Sequence, residues 1–200
     1  MIKADKKNGA DKIILIMKII VGLGNPGEQY KNSRHNIGWL ALDNWLGEVK
    51  WTENKKFNAL TYADGEFLFV KPLTFMNNSG QSVQKILNYY KLLPKNFGLI
   101  KKKGADLKEV LAVIHDDLDL NFGDSRVATD SGAAGHNGAQ SIINYLKTKK
   151  FTRLRIGIKN DLLRTHIPPD KFVLSAFSQE ERSKLKNIFN QSGLKNLIKT

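Results

Sequence analysis

Cysteine is absent from this 200-residue chain. Disulfides, thiolate nucleophiles and cysteine-based zinc sites are therefore ruled out together, and a reducing compartment is compatible with the chain. Acidic residues are scarce beside basic ones: 19 Asp and Glu stand against 32 Lys and Arg, for a formal net charge of +13. No apolar run reaches the roughly 20 residues that a bilayer-spanning helix needs. The best candidate, Ile13 to Leu23, is broken by Lys18 and by glycine. It has no small-residue cleavage site, so it is not a secretory signal either. A G-x-S-x-G elbow is missing, which disfavours a serine nucleophile. Neither H-E-x-x-H nor a calcium-loop spacing occurs. No internal repeat and no long linker interrupts the chain.

What is present is an ordinary globular composition, 41% hydrophobic, on a chain long enough for one sizeable core. The excess positive charge argues for a polyanionic partner, nucleic acid before acidic lipid. A lysine-rich but uniformly solvated surface is the plainer alternative. The clustering at Lys6-Lys7, Lys55-Lys56, Lys101 to Lys103 and Lys147 to Lys150 suits phosphate contacts better.

Along the chain, Lys18 to Gly22 reads as a buried strand followed by the loop GLGNPG (Gly22 to Gly27). Asn36 to Val49 has helical spacing, with Ile37, Leu40, Ala41, Trp45 and Val49 on one face and Asn36 as N-cap. Phe57 to Tyr62 and Phe67 to Lys71 form a hairpin. Ser79 to Lys91 is a second helix, Val110 to Ile114 a second buried strand, His136 to Leu146 a third helix and Arg153 to Ile158 a further strand. Ser178 and Glu181 make a capping box before Leu185, Ile188 and Phe189. Pro94 to Lys108 reads as a loop or insertion. Strands alternating with helices predict an α/β fold: a single domain of three layers, with a mixed, mostly parallel twisted sheet flanked by helices. Residues 1–16 read as an extension outside the core, and 17–200 as the domain.

Compact polar motifs sit at the ends of these elements: GLGNPG, SRHN (Ser33 to Asn36), TFMNNSG (Thr74 to Gly80), HDDLD (His115 to Asp119) and GHNG (Gly135 to Gly138). Asn25 and Asp116 each follow a buried strand, so both should face the sheet edge where α/β folds place their ligands. GLGNPG matches G-x-G-x-x-G, but Pro26 has no N–H to offer and no helix opens at the third glycine, so a dinucleotide site is disfavoured. The glycines and Pro26 fit a rigid loop that aims Asn25 into the cleft. Asp116, Asp117 and Asp119 could suggest a metal site. The alternative is one carboxylate that orients an imidazole base. His115 suits packing at a strand end. Asn77 and Asn137 precede helices and could be caps. The apolar pair Phe75-Met76 beside Asn77 suits a groove wall.

Taken in order, GLGNPG, Tyr30, RHN, PLTFMNNSG, HDDLDL, GHNG and RLRIGI resemble the bacterial peptidyl-tRNA hydrolase family, from about Lys18 to Phe189. The resemblance implies hydrolysis of the ester joining a peptide to tRNA, by a cytoplasmic monomer without metal or cofactor. It implies His35 as the catalytic base and Asp116 as the carboxylate that orients it. It further implies Asn25, Asn77 and Asn137 as amides that bind peptide and set the water. Tyr30, Phe75, Met76 and His136 would be groove residues, and Arg155 a tRNA phosphate ligand. The family usually has a basic residue in the stretch that here runs Thr129 to Gly135; Asp130 replaces it, and Arg126 would substitute. Two rivals are a module that binds structured RNA without cleaving it and a nucleotide-dependent oxidoreductase resting on GLGNPG alone.

Overall fold

Ile19, Ile20 and Val21 are β-branched and fully buried, and their side chains alternate between two cores. Ile19 and Val21 enter one, Ile20 the other. A strand with apolar residues on both faces has to be covered on both. The computed structural model, which describes residues 3–4, 13–14, 18–96, 100–101, 104–163 and 165–197, arranges the chain accordingly.

In chain order the elements are β1 (Lys3–Ala4), β2 (Ile13–Ile14), β3 (Lys18–Gly22), α1 (Ile37–Leu46), β4 (Thr52–Asn54), β5 (Ala59–Asp64), β6 (Phe67–Pro72) and α2 (Ser79–Tyr89). After these come β7 (Lys95–Asn96), β8 (Ile100–Lys101), β9 (Leu111–Asn121), β10 (Ser125–Ala128), α3 (Asn137–Leu146), β11 (Thr152–Lys159), α4 (Pro169–Leu174) and α5 (Gln179–Gln191). A 7-stranded sheet has the order β10-β11-β9-β3-β6-β5-β4. Its centre, β11, β9, β3 and β6, is parallel. The flanking pairs β10-β11, β5-β6 and β4-β5 are antiparallel. β1-β2 and β7-β8 are separate two-residue ladders. Helices α2 and α3 pack on one face through Val83, Ile86 and Ile142. On the other, α1, α4 and α5 pack through Ile37, Leu42, Phe172 and Leu185. The expected three-layer α/β fold is therefore present.

Several elements differ from the sequence reading for physical reasons. β9 does not stop at Ile114: its polar half, His115 to Asn121, continues because β11 pairs with it as far as Asn121. Asp116 thus lies within a strand, past the last residue that β3 pairs. α1 ends at Leu46, not Val49, because Gly47 turns the chain at φ 67°. Edge strands β4 and β10 were not expected; they are short and mostly polar, as edges that avoid further pairing tend to be. α4 was not expected either; Pro169 opens it, in the first turn, where no N–H is needed. The capping box of Ser178 and Glu181 forms as expected. Most of residues 1–16, and 97–99 and 102–103 in the Pro94 to Lys108 stretch, lie outside the described residues.

The site-bearing turn is pressed tightly onto the sheet. A Cβ on Gly38 would stand 2.5 Å from both Ile114 O and Leu23 N, all backbone. Gly22 meets Gly38 from the other side. Gly38→Ala should therefore push α1 off β3 and β9, at about 1–3 kcal/mol for overpacking. Thermal unfolding should fall by roughly 2–4 °C per kcal/mol for a chain this long; an unchanged Tm would contradict this close approach.

Candidate active site

The GLGNPG loop leaves β3 and is held by amide side chains. Asn36 Oδ1 accepts from Asn25 N at 2.8 Å, and Asn36 Nδ2 donates to Asn25 O at 3.0 Å. Asn36 was expected to cap α1; it makes no cap bond and staples the loop to the SRHN turn instead. Asn25 Oδ1 in turn accepts from Met76 N at 2.8 Å, which ties the loop to the TFMNNSG turn. With that oxygen occupied, the Nδ2 donor is what Asn25 has to offer a ligand.

His35 sits in a short 3₁₀ turn, Arg34–Asn36, and is buried. Its Nδ1 lies 2.8 Å from Asp116 Oδ1. The same oxygen lies 2.9 Å from His136 Nε2. His136 precedes α3, and its Nδ1 accepts from Gly138 N at 3.1 Å and Ala139 N at 3.2 Å. These bonds fix the tautomers. A His136 Nδ1 that accepts carries no proton, so its proton is on Nε2 and points at Asp116. Asp116, acceptor-only when ionised, likewise draws the His35 proton to Nδ1 and leaves His35 Nε2 bare. His115 packs edge-on against His136, with ring centroids 4.5 Å apart, and its Nδ1 donates to Asp116 O at 2.7 Å.

Electrostatics follow from burial and pairing. For Asp116, burial works toward a higher pKa, but the charges and hydrogen bonds of His35 and His136 hold it well below the usual carboxylate range. For His35, burial works toward a lower pKa, but the Asp116 charge and hydrogen bond outweigh it, so the net shift is upward. Burial, and then the His136 charge, push His115 well below its ordinary value. It stays a neutral packing group.

A cleft of about 240 Å³ opens beside the cluster. His35, Asp116, His136 and Asn137 line it together with Pro169, Asp170 and Val173 of α4. The other sequence-named residues stand outside it. Asn77 is exposed, Phe75 is 60% exposed, Tyr30 is half-buried and Met76 belongs to the core. Asn77 lies in the 3₁₀ turn Met76–Asn78 and Asn137 is the first residue of α3; neither caps a helix, since His136 caps α3. Arg126 and Arg155 are register partners across β10 and β11. Arg126 is exposed, while Arg155 Nε donates to Asp117 Oδ2. Asp130 lies 4.0 Å from Lys149 Nζ.

Sequence reasoning missed the second imidazole on Asp116, the Asn36 staple and the α4 wall. The only signal for the first was a histidine at a helix start. His35, Asp116 and His136 offer donor atoms within 4.8 Å of one another, near enough to hold a metal ion. Their present arrangement aims N–H groups at one carboxylate oxygen rather than lone pairs at a common point.

Comparison with known proteins gives a consistent result. The family model for peptidyl-tRNA hydrolase matches residues 19–198. A peptidyl-tRNA hydrolase from Mycoplasma capricolum is 45% identical over 179 residues, spanning 87% of this chain and 88% of the relative. One from Fusobacterium nucleatum is 40% identical, spanning 88% and 85%. The crystal structure of peptidyl-tRNA hydrolase from Acinetobacter baumannii superposes with a TM-score of 0.73 at 29% identity, over 93% of this chain and 90% of that one.

Proposed function

The chain belongs to the peptidyl-tRNA hydrolase family, and on that premise we propose that it hydrolyses the ester between a peptide and tRNA with His35 as general base, using neither metal nor cofactor. The observation that carries this reading is the 2.8 Å bond from His35 Nδ1 to Asp116 on the wall of an open cleft. The bare Nε2 takes a proton from a water lying against the scissile carbonyl. Asp116 stabilises the imidazolium that results. Donor amides of Asn25, Asn77 and Asn137 bind the peptide and the carbonyl oxygen as it gains charge. The leaving group is a ribose hydroxyl, far easier to expel than an amine, so a water, a base and a few donors suffice. Tyr30 and Phe75 extend the groove outside that cleft, Met76 backs it from the core, and His136 holds Asp116 in place. The family match begins at residue 19, which supports reading 1–16 as an extension. Among the described residues no helix is long and apolar enough to cross a membrane. A substrate made during translation fits work in the cytoplasm, and a cleft formed within one chain suits a monomer.

The net charge of +13 fits a tRNA partner held through its phosphates. Arg126, exposed and in register with Arg155, is the more available phosphate ligand of the two. Raising salt between about 50 and 200 mM should weaken tRNA binding steeply. Arg126→Ala should reduce the slope of log K against log salt by about 1, evenly across tRNA sequences. Filter binding over a salt series measures both. A flat response would return the lysines to a merely solvated surface.

A further inference from the structure

Arg34 immediately precedes the proposed base and has no part in the chemistry above. It is nevertheless 3% exposed and held on every side. Its Nη1 and Nη2 donate to Glu181 Oε1 and Oε2 at 2.9 and 2.8 Å. Its Nε lies 3.3 Å from Ser175 Oγ, and its backbone N donates to Ser175 O at 3.0 Å. The guanidinium stands over the rings of Phe172 at 4.4 Å and Phe177 at 5.0 Å. Glu181 also accepts from Asn160 Nδ2 at 2.9 Å and Ser178 N at 2.8 Å.

A buried Arg–carboxylate pair is weak as a source of stability, because desolvating both ions offsets their attraction. What this pair does is join elements. The 3₁₀ turn that carries His35 is bound through it to the C-terminal end of α4 and to the N-terminus of α5. The same helix supplies the cleft wall along its length, at Pro169, Asp170 and Val173. Base and α4 wall are thus fastened to one guanidinium. We propose that Arg34, gripped by Glu181, is a positioning residue that keeps the His35 ring on Asp116 and sets the distance to the α4 wall. The proposal rests on the role assigned to His35.

Arg34→Lys keeps the charge but loses the planar fork and the stacking; Glu181→Gln keeps the shape but loses the charge. Both should lower kcat at least about tenfold, since sub-ångström misplacement of a reacting group is costly, with KM nearly unchanged. NMR titration of the His35 imidazole should show its pKa falling toward the ordinary histidine value as the Asp116 contact loosens. The other titratable groups lining the cleft are Asp116, Asp117, His115, His136 and Asp170, and none is altered by these substitutions. Thr148→Ala, which removes a buried hydrogen bond to Ala105 O and does not line the cleft, should lower Tm while leaving kcat and the His35 titration alone. If both main variants fail to fold, Ser175→Ala, which removes the Nε contact and the Ser175 Oγ bond to Phe172 O but leaves the Glu181 fork in place, should still shift the titration in the same direction. Wild-type kcat and an unmoved His35 titration in folded variants overturn the proposal. A wild-type protein that cleaves no peptidyl-tRNA overturns the proposed function instead, and the NMR comparison still decides the positioning.

Discussion

His35→Ala should lower kcat for peptidyl-tRNA cleavage by about 10²–10⁴-fold, the usual contribution of a positioned general base. Affinity for tRNA should change little, because the proposed phosphate ligands Arg126 and Arg155 do not themselves line the cleft. The fold should survive as well: His35 is buried, but the backbone of its turn is held without its side chain, by the Asn36 N–Ser33 O and Arg34 N–Ser175 O bonds. Single-turnover cleavage with enzyme in excess isolates the chemical step, and filter binding checks the tRNA. If the variant retained most of its turnover, the base would have to be sought elsewhere, and the bare Nε2 would have no role. A parallel loss of cleavage and binding would instead indicate collapse of the site.

Asp116→Asn is expected to do nearly as much damage for a different reason. The asparagine can still present an oxygen to both imidazoles, so the geometry can survive. The negative charge cannot. In hydrolytic triads the loss of the orienting carboxylate costs up to about 10⁴-fold, and a loss of about 10²–10⁴-fold is expected here. The pH profile should move too. The Asp116 charge and hydrogen bond are what raise His35 against the pull of burial. Without them its pKa falls, and the acid limb of kcat/KM shifts to lower pH.

Stability shifts with pH in a definite direction. His35, raised in the folded state, stabilises below its unfolded value near 6.5, and that stabilisation fades as pH rises through the folded pKa. Asp116, depressed in the folded state, stabilises above its unfolded value near 3.8, and that is lost as pH falls through the folded pKa. Both dependences should flatten in Asp116→Asn. Denaturant unfolding of the two proteins across the same pH series shows whether they do.

The parts of the fold that could be read in advance are those where burial dictates residue type. Ile19 to Val21 and Leu111 to Ile114 lie in central parallel strands, apolar on both faces, and no other placement suits them. The spacing of Val83, Ile86 and Leu87, and the Ser178–Glu181 box, are equally local signals. The missed elements take their structure from neighbours. β10 exists because β11 offers it an edge, and the polar half of β9 is ordered by pairing rather than by its own preference. α4 is six residues long, too short for a periodic pattern, and one buried ring, Phe172, anchors it.

At the site the same distinction holds. His35 and Asp116 are 81 residues apart, and only the order of the motifs related them before the sheet placed them 2.8 Å apart. Asn36 and Asn137 carry the usual look of helix caps. Asn36 bonds across to another loop, and His136 performs the capping beside Asn137. A histidine that accepts two backbone N–H bonds and donates to a carboxylate has no local sequence signature. Neither does an arginine whose partner lies in a helix 147 residues away.

The central claim is that His35 and Asp116 work as a proton-transfer pair rather than as ligands of an ion. Cleavage of a peptidyl-tRNA by the full chain, after exhaustive chelation and with chelator kept in the assay, tests it most directly. The account predicts an undiminished rate whose acid limb lies above the ordinary histidine pKa. A rate that vanishes with chelator and returns with a divalent cation would make His35, Asp116 and His136 a metal centre and contradict it.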